Sequence, residues 1–295
     1  MAELIKANIK YDAKRWLAKF SANFVHIDGC TRLGKTEHYG PLRVQRPFFP
    51  EGLACLHLYL LHPPGGLVGG DRLAVDLTVS AAAHVVMTTP SAGKMYRNIS
   101  GLKQGQYTSI SVANKAVMEY FPQENIIFNG ADGEITTQVD LIGDGLFIGW
   151  EIACLGMPAS KEEFEEGELK LALVIRQDGK PLFFDRLKID SPSALQLSKA
   201  GLQGHSVIGT FVITTTVIDA DSKDKVTAWQ QQINQCDNNN HISCSVGATQ
   251  KPGVFVVRML SDNSESVRRS FEALWAMLRP QIINKNACRP RIWNT

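Results

Sequence analysis

The segment Leu61–Leu73, LHPPGGLVGGDRL, sets two prolines and four glycines between apolar runs and brackets them with His62 and Asp71. Gly65 and Gly70 have the glycine spacing of a phosphate loop, but Asp71 and Arg72 stand where that motif requires Lys and Ser or Thr. An aspartate there repels a β-phosphate. The residues that follow alternate like a strand, so no helix N-terminus is offered to an anion either. The motif therefore argues against a phosphate loop, and a cation suits Asp71 better. A plain nucleotide-binding module stays a separate class, which thermal stabilisation by GTP or ATP would reveal. The glycines permit positive φ and close backbone approach, and Pro63-Pro64 stiffens the turn. The segment reads as a rigid turn that holds His62 and Asp71 toward a ligand or a partner.

Other residues capable of chemistry are scattered. Cys55 and His57, two apart, share one face of a strand, and His241 with Cys244 forms an HxxC pair. Neither is joined by a second pair at zinc-site spacing, so no tightly bound structural metal is expected. Ser91 and Lys94 have SxxK spacing but lack the helix start and the companion motifs of that chemistry, and there is no GxSxG. Carboxylates are more telling. Glu119, Glu124, Glu151 and Asp185 lie in or beside strongly apolar stretches. A lone buried carboxylate costs several kcal/mol. Each must then find a partner, with Arg97 and Arg186 as the nearby candidates, or face an internal channel. Single carboxylates and imidazoles of this kind hold a divalent cation weakly and can release it. The competing chemistry is acid–base work on a small ligand by Asp71, Asp185 or Lys94, which demands a closed pocket with convergent groups.

The elements that must position these groups are mostly strands. Period-two or β-branched patterns run through 16–27, 73–79, 84–89, 107–112, 135–141, 169–175 and 254–259, with turn residues between. Asp178-Gly179 marks a hairpin and Asp132-Gly133 a similar turn. One helix is expected over Ser264–Leu278, with Val267, Phe271, Leu274, Trp275 and Leu278 on one face and Pro280 as its stop. A weaker one spans Asp224–Cys236, a short one is admitted within Ser191–Leu202, and the acidic Lys161–Glu168 run suits a solvated turn or helix. This is a mostly β chain, read as one domain over residues 1–295, with two or three α-helices toward the C-terminus.

Composition narrows the classes. A net charge of +2 gives no case for nucleic acid. No apolar run reaches membrane-helix length, and the N-terminal residues carry charges throughout, unlike a secretory signal. The six cysteines are dispersed with no CxxC, which suits reduced thiols and a cytoplasmic setting.

Read in order, several segments carry a specific resemblance. They are GPLRVQRPFFPEG at 40–52, HLYLLHPPGGLVGGD at 57–71, TTPSAGKMYR at 88–97, MEYFPQE at 118–124, GWE at 149–151 with CLGMPAS at 154–160, DRL at 185–187, LRP at 278–280 and RPRIWNT at 289–295. Over nearly the whole chain this resembles the urease accessory protein D family (UreD, or UreH). Met95 and Met157 depart from it, standing where the family has aromatic and basic residues, and the asparagines near Asn238 are not a family feature.

The resemblance implies layered mixed β-sheets and a non-enzymatic chaperone role. Such a protein docks on the urease structural subunits with UreF and the GTPase UreG and helps nickel reach the active site, where carbon dioxide also forms a bridging lysine carbamate. It implies no stably bound cofactor, a transient Ni2+ ion, and an internal water-filled passage. Matched motif to motif, the residues expected along that passage are Asp71 and Asp185, then Glu151, His62 and Glu124. Arg291 and Trp293 of the C-terminal strip are expected to bind a partner, since Arg and Trp are enriched at interface hot spots. The alternative for that strip is a tail tucked on the core.

Overall fold

The computed structural model describes residues 16–215, 218–235 and 244–294. His241 of the HxxC pair, Cys236, Asn238–Asn240, Thr295 and the residues before Trp16 lie outside them.

The strands are β1 (Leu17–Ile27), β2 (Cys30–Tyr39), β3 (Arg43–Val44), β4 (Cys55–Leu61), β5 (Arg72–Val79), β6 (His84–Thr88), β7 (Gly93–Met95), β8 (Gln104–Val112) and β9 (Val117–Phe121). They continue with β10 (Asn125–Ile127), β11 (Asp132–Leu141), β12 (Leu146–Leu155), β13 (Gly167–Gln177), β14 (Lys180–Ser191), β15 (Val207–Ile213), β16 (Cys244–Lys251) and β17 (Val254–Ser261). Seven form one sheet in the order β14-β13-β11-β8-β5-β1-β2. The second sheet has ten strands, running β16-β17-β15-β12-β9-β6-β4-β3, with β10 pairing β12 and β7 pairing β10.

From β4 to β13 the chain winds back and forth between the sheets. β5, β8, β11 and β13 run parallel in the first, and β4, β6, β9 and β12 in the second. Parallel neighbours need a long crossover, and here the crossover is a strand of the opposite sheet. That is why strand follows strand along the sequence with no helical period between.

Period-two alternation builds two cores. Leu56, Leu58, Leu60, Val85, Met87 and Met118 point between the sheets. Cys55, Val86, Phe121, Trp150, Phe211 and Val257 point the other way, toward the helices. Each large apolar side chain buried this way stabilises by about 1.5–3 kcal/mol.

The helices are α1 (Ala194–Leu197), α2 (Ala220–Gln235) and α3 (Ser264–Ile283), and they fall in the C-terminal third. Ser193 and Gln196 form a capping box on α1. Helix α2 starts earlier than Asp224 because Asp219 supplies the cap, its carboxylate accepting the Ser222 amide at 2.7 Å. Helix α3 buries the five expected residues together with Arg279. It rests on β12, β15 and β17. The close approach requires Gly209, since a Cβ there would meet Val267 Cγ1 at 2.5 Å and the Phe271 ring at 2.8 Å.

Two further expectations need correction. Helix α3 does not stop at Pro280 but runs to Ile283, closed by Asn284 in the left-handed region with its amide on the Pro280 carbonyl. A residue before proline ordinarily avoids helical backbone, but Arg279 is clamped by the contacts described below. Asp132-Gly133 opens β11, and the turn lies just before it at Gly130, with φ 78°. Within Lys161–Glu168 the chain makes a turn, buries Phe164 and enters β13. The Asp178-Gly179 hairpin is as expected, with φ of 49° and 76° at its two centres.

Candidate functional site

The glycine- and proline-rich loop is stitched to its neighbour. Leu67 donates its amide to the Lys94 carbonyl at 2.7 Å, and Tyr96 donates to the Leu67 carbonyl at 2.9 Å. Gly66 makes this possible, because a Cβ would sit 2.5 Å from the Tyr96 ring and 3.1 Å from the Lys94 carbonyl. Asp71 is buried and closes the turn: its Oδ2 accepts the Val68 amide at 2.9 Å, while its own amide donates to the Val68 carbonyl at 3.0 Å. Burial pushes its carboxyl up, and the Val68 amide opposes this. His62 lines a cavity of about 70 Å³ with Lys94, Gln106, Tyr120, Gln123 and Asn125. Its Nε2 is out of reach of solvent with no hydrogen-bond partner among the described residues. Burial pushes the imidazole down. Ser91 sits in the turn leading into β7 and Lys94 within that strand, and both line this cavity.

A second cavity, about 30 Å³, lies between the sheets and is bordered by Glu151, Asp185, Thr210, Arg258 and again Asn125. Glu151 is flanked on β12 by Trp150 and Ile152, which face the helices, so its own side chain faces the interior of the sandwich. Thr137 hydrogen-bonds it from β11, and Glu151 Oε1 has no partner among the described residues. Burial first, and then the Asp185 charge, push this carboxyl up to about 7. Asp185 enters from β14 opposite Leu173. Its ion partner is neither Arg186 nor Arg97 but Arg258 on β17, whose Nη2 lies 2.7 Å from Asp185 Oδ1. Arg186 instead lies over the Phe184 ring, and Arg97 pairs with Glu166. Glu124 sits one residue from Asn125 and accepts the Ser264 hydroxyl at 3.2 Å, at the start of α3. The sandwich thus unites Glu151 with Asp185, keeps His62 in a separate cavity, and joins the two through the shared wall at Asn125.

The most heavily bonded polar cluster lies elsewhere. Arg279 of α3 is fully buried between two carboxylates. Its Nε and Nη2 donate to Glu119 at 2.8–3.1 Å, and its Nη1 and Nη2 donate to Glu51 at 2.6 and 3.0 Å. Nη1 also reaches the Asn286 carbonyl. The Trp275 indole donates to Glu119 Oε2 at 2.6 Å. His84 Nε2 lies 2.6 Å from Glu119 Oε1, and His57 Nε2 lies 2.7 Å from Glu51 Oε1. Burial alone would raise both carboxyls. Contacts from His57 and Arg279 outweigh it at Glu51 and bring that group to about 2, and His84 with Arg279 do the same in direction at Glu119.

Glu51, Cys55 and His57 offer ligand atoms within 4.8 Å of one another. Arg279 already occupies the cation's role there, and burial raises the Cys55 thiol far from the thiolate a metal needs. The cluster is therefore an internal clamp between α3 and the sheet. Sequence reading noted the Cys55/His57 spacing and Glu119 in an apolar strand, but nothing local connects either to Arg279, 160 residues from Glu119.

At the C-terminus Arg291 is exposed while Trp293 is buried. The Trp293 indole donates to Thr88 Oγ1 at 2.8 Å, and its ring packs against Phe121, Trp150 and Trp275 at 5.5–6.2 Å. The tail is tucked on the core through Trp293, leaving Arg291 on the surface of the same short turn.

These features define a strand-wound sandwich with a carboxylate-bearing interior and a helical cover on one side. The chain belongs to the UreD urease accessory protein family, whose family model matches residues 17–294. It is 40% identical over 265 residues to the urease accessory protein UreD of Alcanivorax borkumensis, covering 90% of this chain and 86% of that one. It is 38% identical to the UreD of Saccharophagus degradans, with 96% and 94% covered, and 38% identical to that of Dechloromonas aromatica, with 95% of each. Among the described residues no helix is long and apolar enough to cross a membrane.

Proposed function

We propose that this chain is a urease maturation chaperone that docks on apo-urease with UreF and the GTPase UreG and passes nickel toward the urease active site through the space between its sheets. It acts in the cytoplasm, holds no resident cofactor, and carries Ni2+ only in transit. The carrying observation is the inter-sheet cavity in which Glu151, with one unpartnered oxygen, lies beside Asp185. A hydrated divalent cation is attracted by such oxygens, yet two carboxylates fall short of the ligand set that would trap it. His62, with a free buried nitrogen in the neighbouring cavity, supplies a further weak ligand, and Asn125 borders both spaces. Asp71 contributes by fixing the loop that carries this wall, and Glu124 sits beside Asn125.

Cavity size argues against the acid–base enzyme. Volumes of about 70 and 30 Å³ suit a few waters or one hydrated ion, since a water needs roughly 10–15 Å³ measured this way. The exposed Arg291 is the member of the C-terminal strip available to a partner.

The test is nickel-dependent activation of apo-urease with the full accessory set. Glu151→Gln with Asp185→Asn should lower activation and urease nickel content while pull-down with UreF and urease stays intact. Unchanged activation with intact assembly overturns the passage.

A further inference from the structure

The inter-sheet cavity is lined by Asp185 and the half-exposed Arg258. Asp185 lies on β14, the last strand of the seven-stranded sheet, and Arg258 on β17 of the ten-stranded one. Leu182 of β14 packs against Gly253, just before β17, since a Cβ on Gly253 would lie 2.7 Å from Leu182 Cδ1. Arg258 projects between the sheets from β17, flanked by Val257 and Met259, which face the helices. Its guanidinium meets Asp185 at 2.7 Å, with its own side chain 52% exposed and that of Asp185 19% exposed. The pair therefore spans the gap at the surface, with Glu151 Oε1 unpartnered behind it.

We propose that Arg258 is the stopper of this cavity, a resident counter-ion that a divalent metal ion must displace from Asp185 to occupy the space beside Glu151. The inference rests on the passage reading and adds the residue that controls occupancy.

Comparison with Arg279 shows why exchange is possible at one arginine and not at the other. Arg279 has no exposed surface and donates to two carboxylates and a carbonyl, so no ion can replace it without dismantling the α3 docking. Among the described residues Arg258 has one carboxylate contact, and half of its side chain is in water, so leaving Asp185 only returns the guanidinium to solvent. A half-exposed pair of this kind holds by about 1 kcal/mol or less. A divalent ion at Asp185, drawn also to the unpartnered Glu151 oxygen, competes with that hold easily. With Arg258 in place a passing metal is bound weakly, and the cavity does not fill with other cations in the meantime.

The experiment is calorimetric titration of the full-length chain with nickel(II) at fixed pH, repeated with magnesium. Arg258→Gln should bind nickel about fivefold more tightly than the natural chain, the change expected from releasing about 1 kcal/mol of competition. Asp185→Asn should lose the gain when combined with Arg258→Gln. Arg258→Lys should fall between, because an ammonium still competes. Thermal melting of each variant controls for the fold. Nickel binding to a folded Arg258→Gln chain that equals or falls below the natural level overturns the stopper. So does an increase that survives Asp185→Asn. These outcomes are separate from urease activation, so the stopper can fail while the chaperone role stands, and the reverse.

Discussion

At the scale of single residues, stability turns on one arginine and three carboxylates. Arg279 is the counter-ion of Glu51 and Glu119. Removing one partner of a buried pair leaves the others uncompensated, at about 3–5 kcal/mol. Arg279→Met should therefore lower the urea midpoint severely, more than any surface Arg→Met control. Glu151 behaves in the opposite sense. Its carboxyl is raised from 4.5 to about 7, so between those values the folded chain holds a proton that the unfolded chain has lost. That contribution to stability is present at low pH and is lost as pH rises through about 7, at roughly 2 kcal/mol after allowance for partial exposure. Glu151→Gln should flatten the fall in melting temperature between pH 5 and pH 8. An unchanged slope would show that the carboxyl is better solvated than its surroundings indicate.

At the scale of elements, the helical cover depends on one absent side chain. Gly209→Ala places a methyl against Val267 and Phe271, and overpacking of that kind costs about 1–3 kcal/mol. The variant should melt earlier and expose the α3 face to limited proteolysis, whereas Gly247→Ala, where a Cβ meets nothing within 4 Å, should not.

Elements were legible where local chemistry decides them. The Asp178-Gly179 hairpin, the period-two strands and the apolar face of α3 all follow from neighbouring residues. Boundaries set at a distance were not. Pro280 reads as a stop because the carboxylates that hold Arg279 come from remote parts of the chain. Asp132-Gly133 reads as a turn because its fit in β11, with Gly133 close to Met95, is a tertiary fact. The site divides the same way. Glu151 and Asp185 stood out as carboxylates in apolar strands, but their shared cavity and the Arg258 partner depend on how two sheets face each other. Trp293 was ambiguous as interface or core until its neighbours Phe121, Trp150 and Trp275 were in view.

At the scale of the whole molecule, coiling between two sheets produces a mostly apolar interior broken by two small cavities that each carry a few polar side chains. Helices α2 and α3 and the C-terminal turn seal the other face of the ten-stranded sheet, with Arg279 and Trp293 as anchors. In the proposed function, the inter-sheet space carries the ion and the outer surfaces meet the partners. Arg291→Ala should leave the unfolding free energy within about 0.5 kcal/mol of the natural chain, as surface changes do. It should weaken capture of UreF or urease if the C-terminal turn is a docking point, and equal capture would remove the turn from the interface.

The central claim is that nickel passes between the sheets past Glu151 and Asp185. It is tested most directly by nickel content and activity of urease matured with the Glu151→Gln, Asp185→Asn double variant, in complexes first shown to be fully assembled. The account predicts assembled complexes that yield nickel-poor, weakly active urease. Urease with a full nickel complement and activity equal to that matured by the natural chain would contradict it.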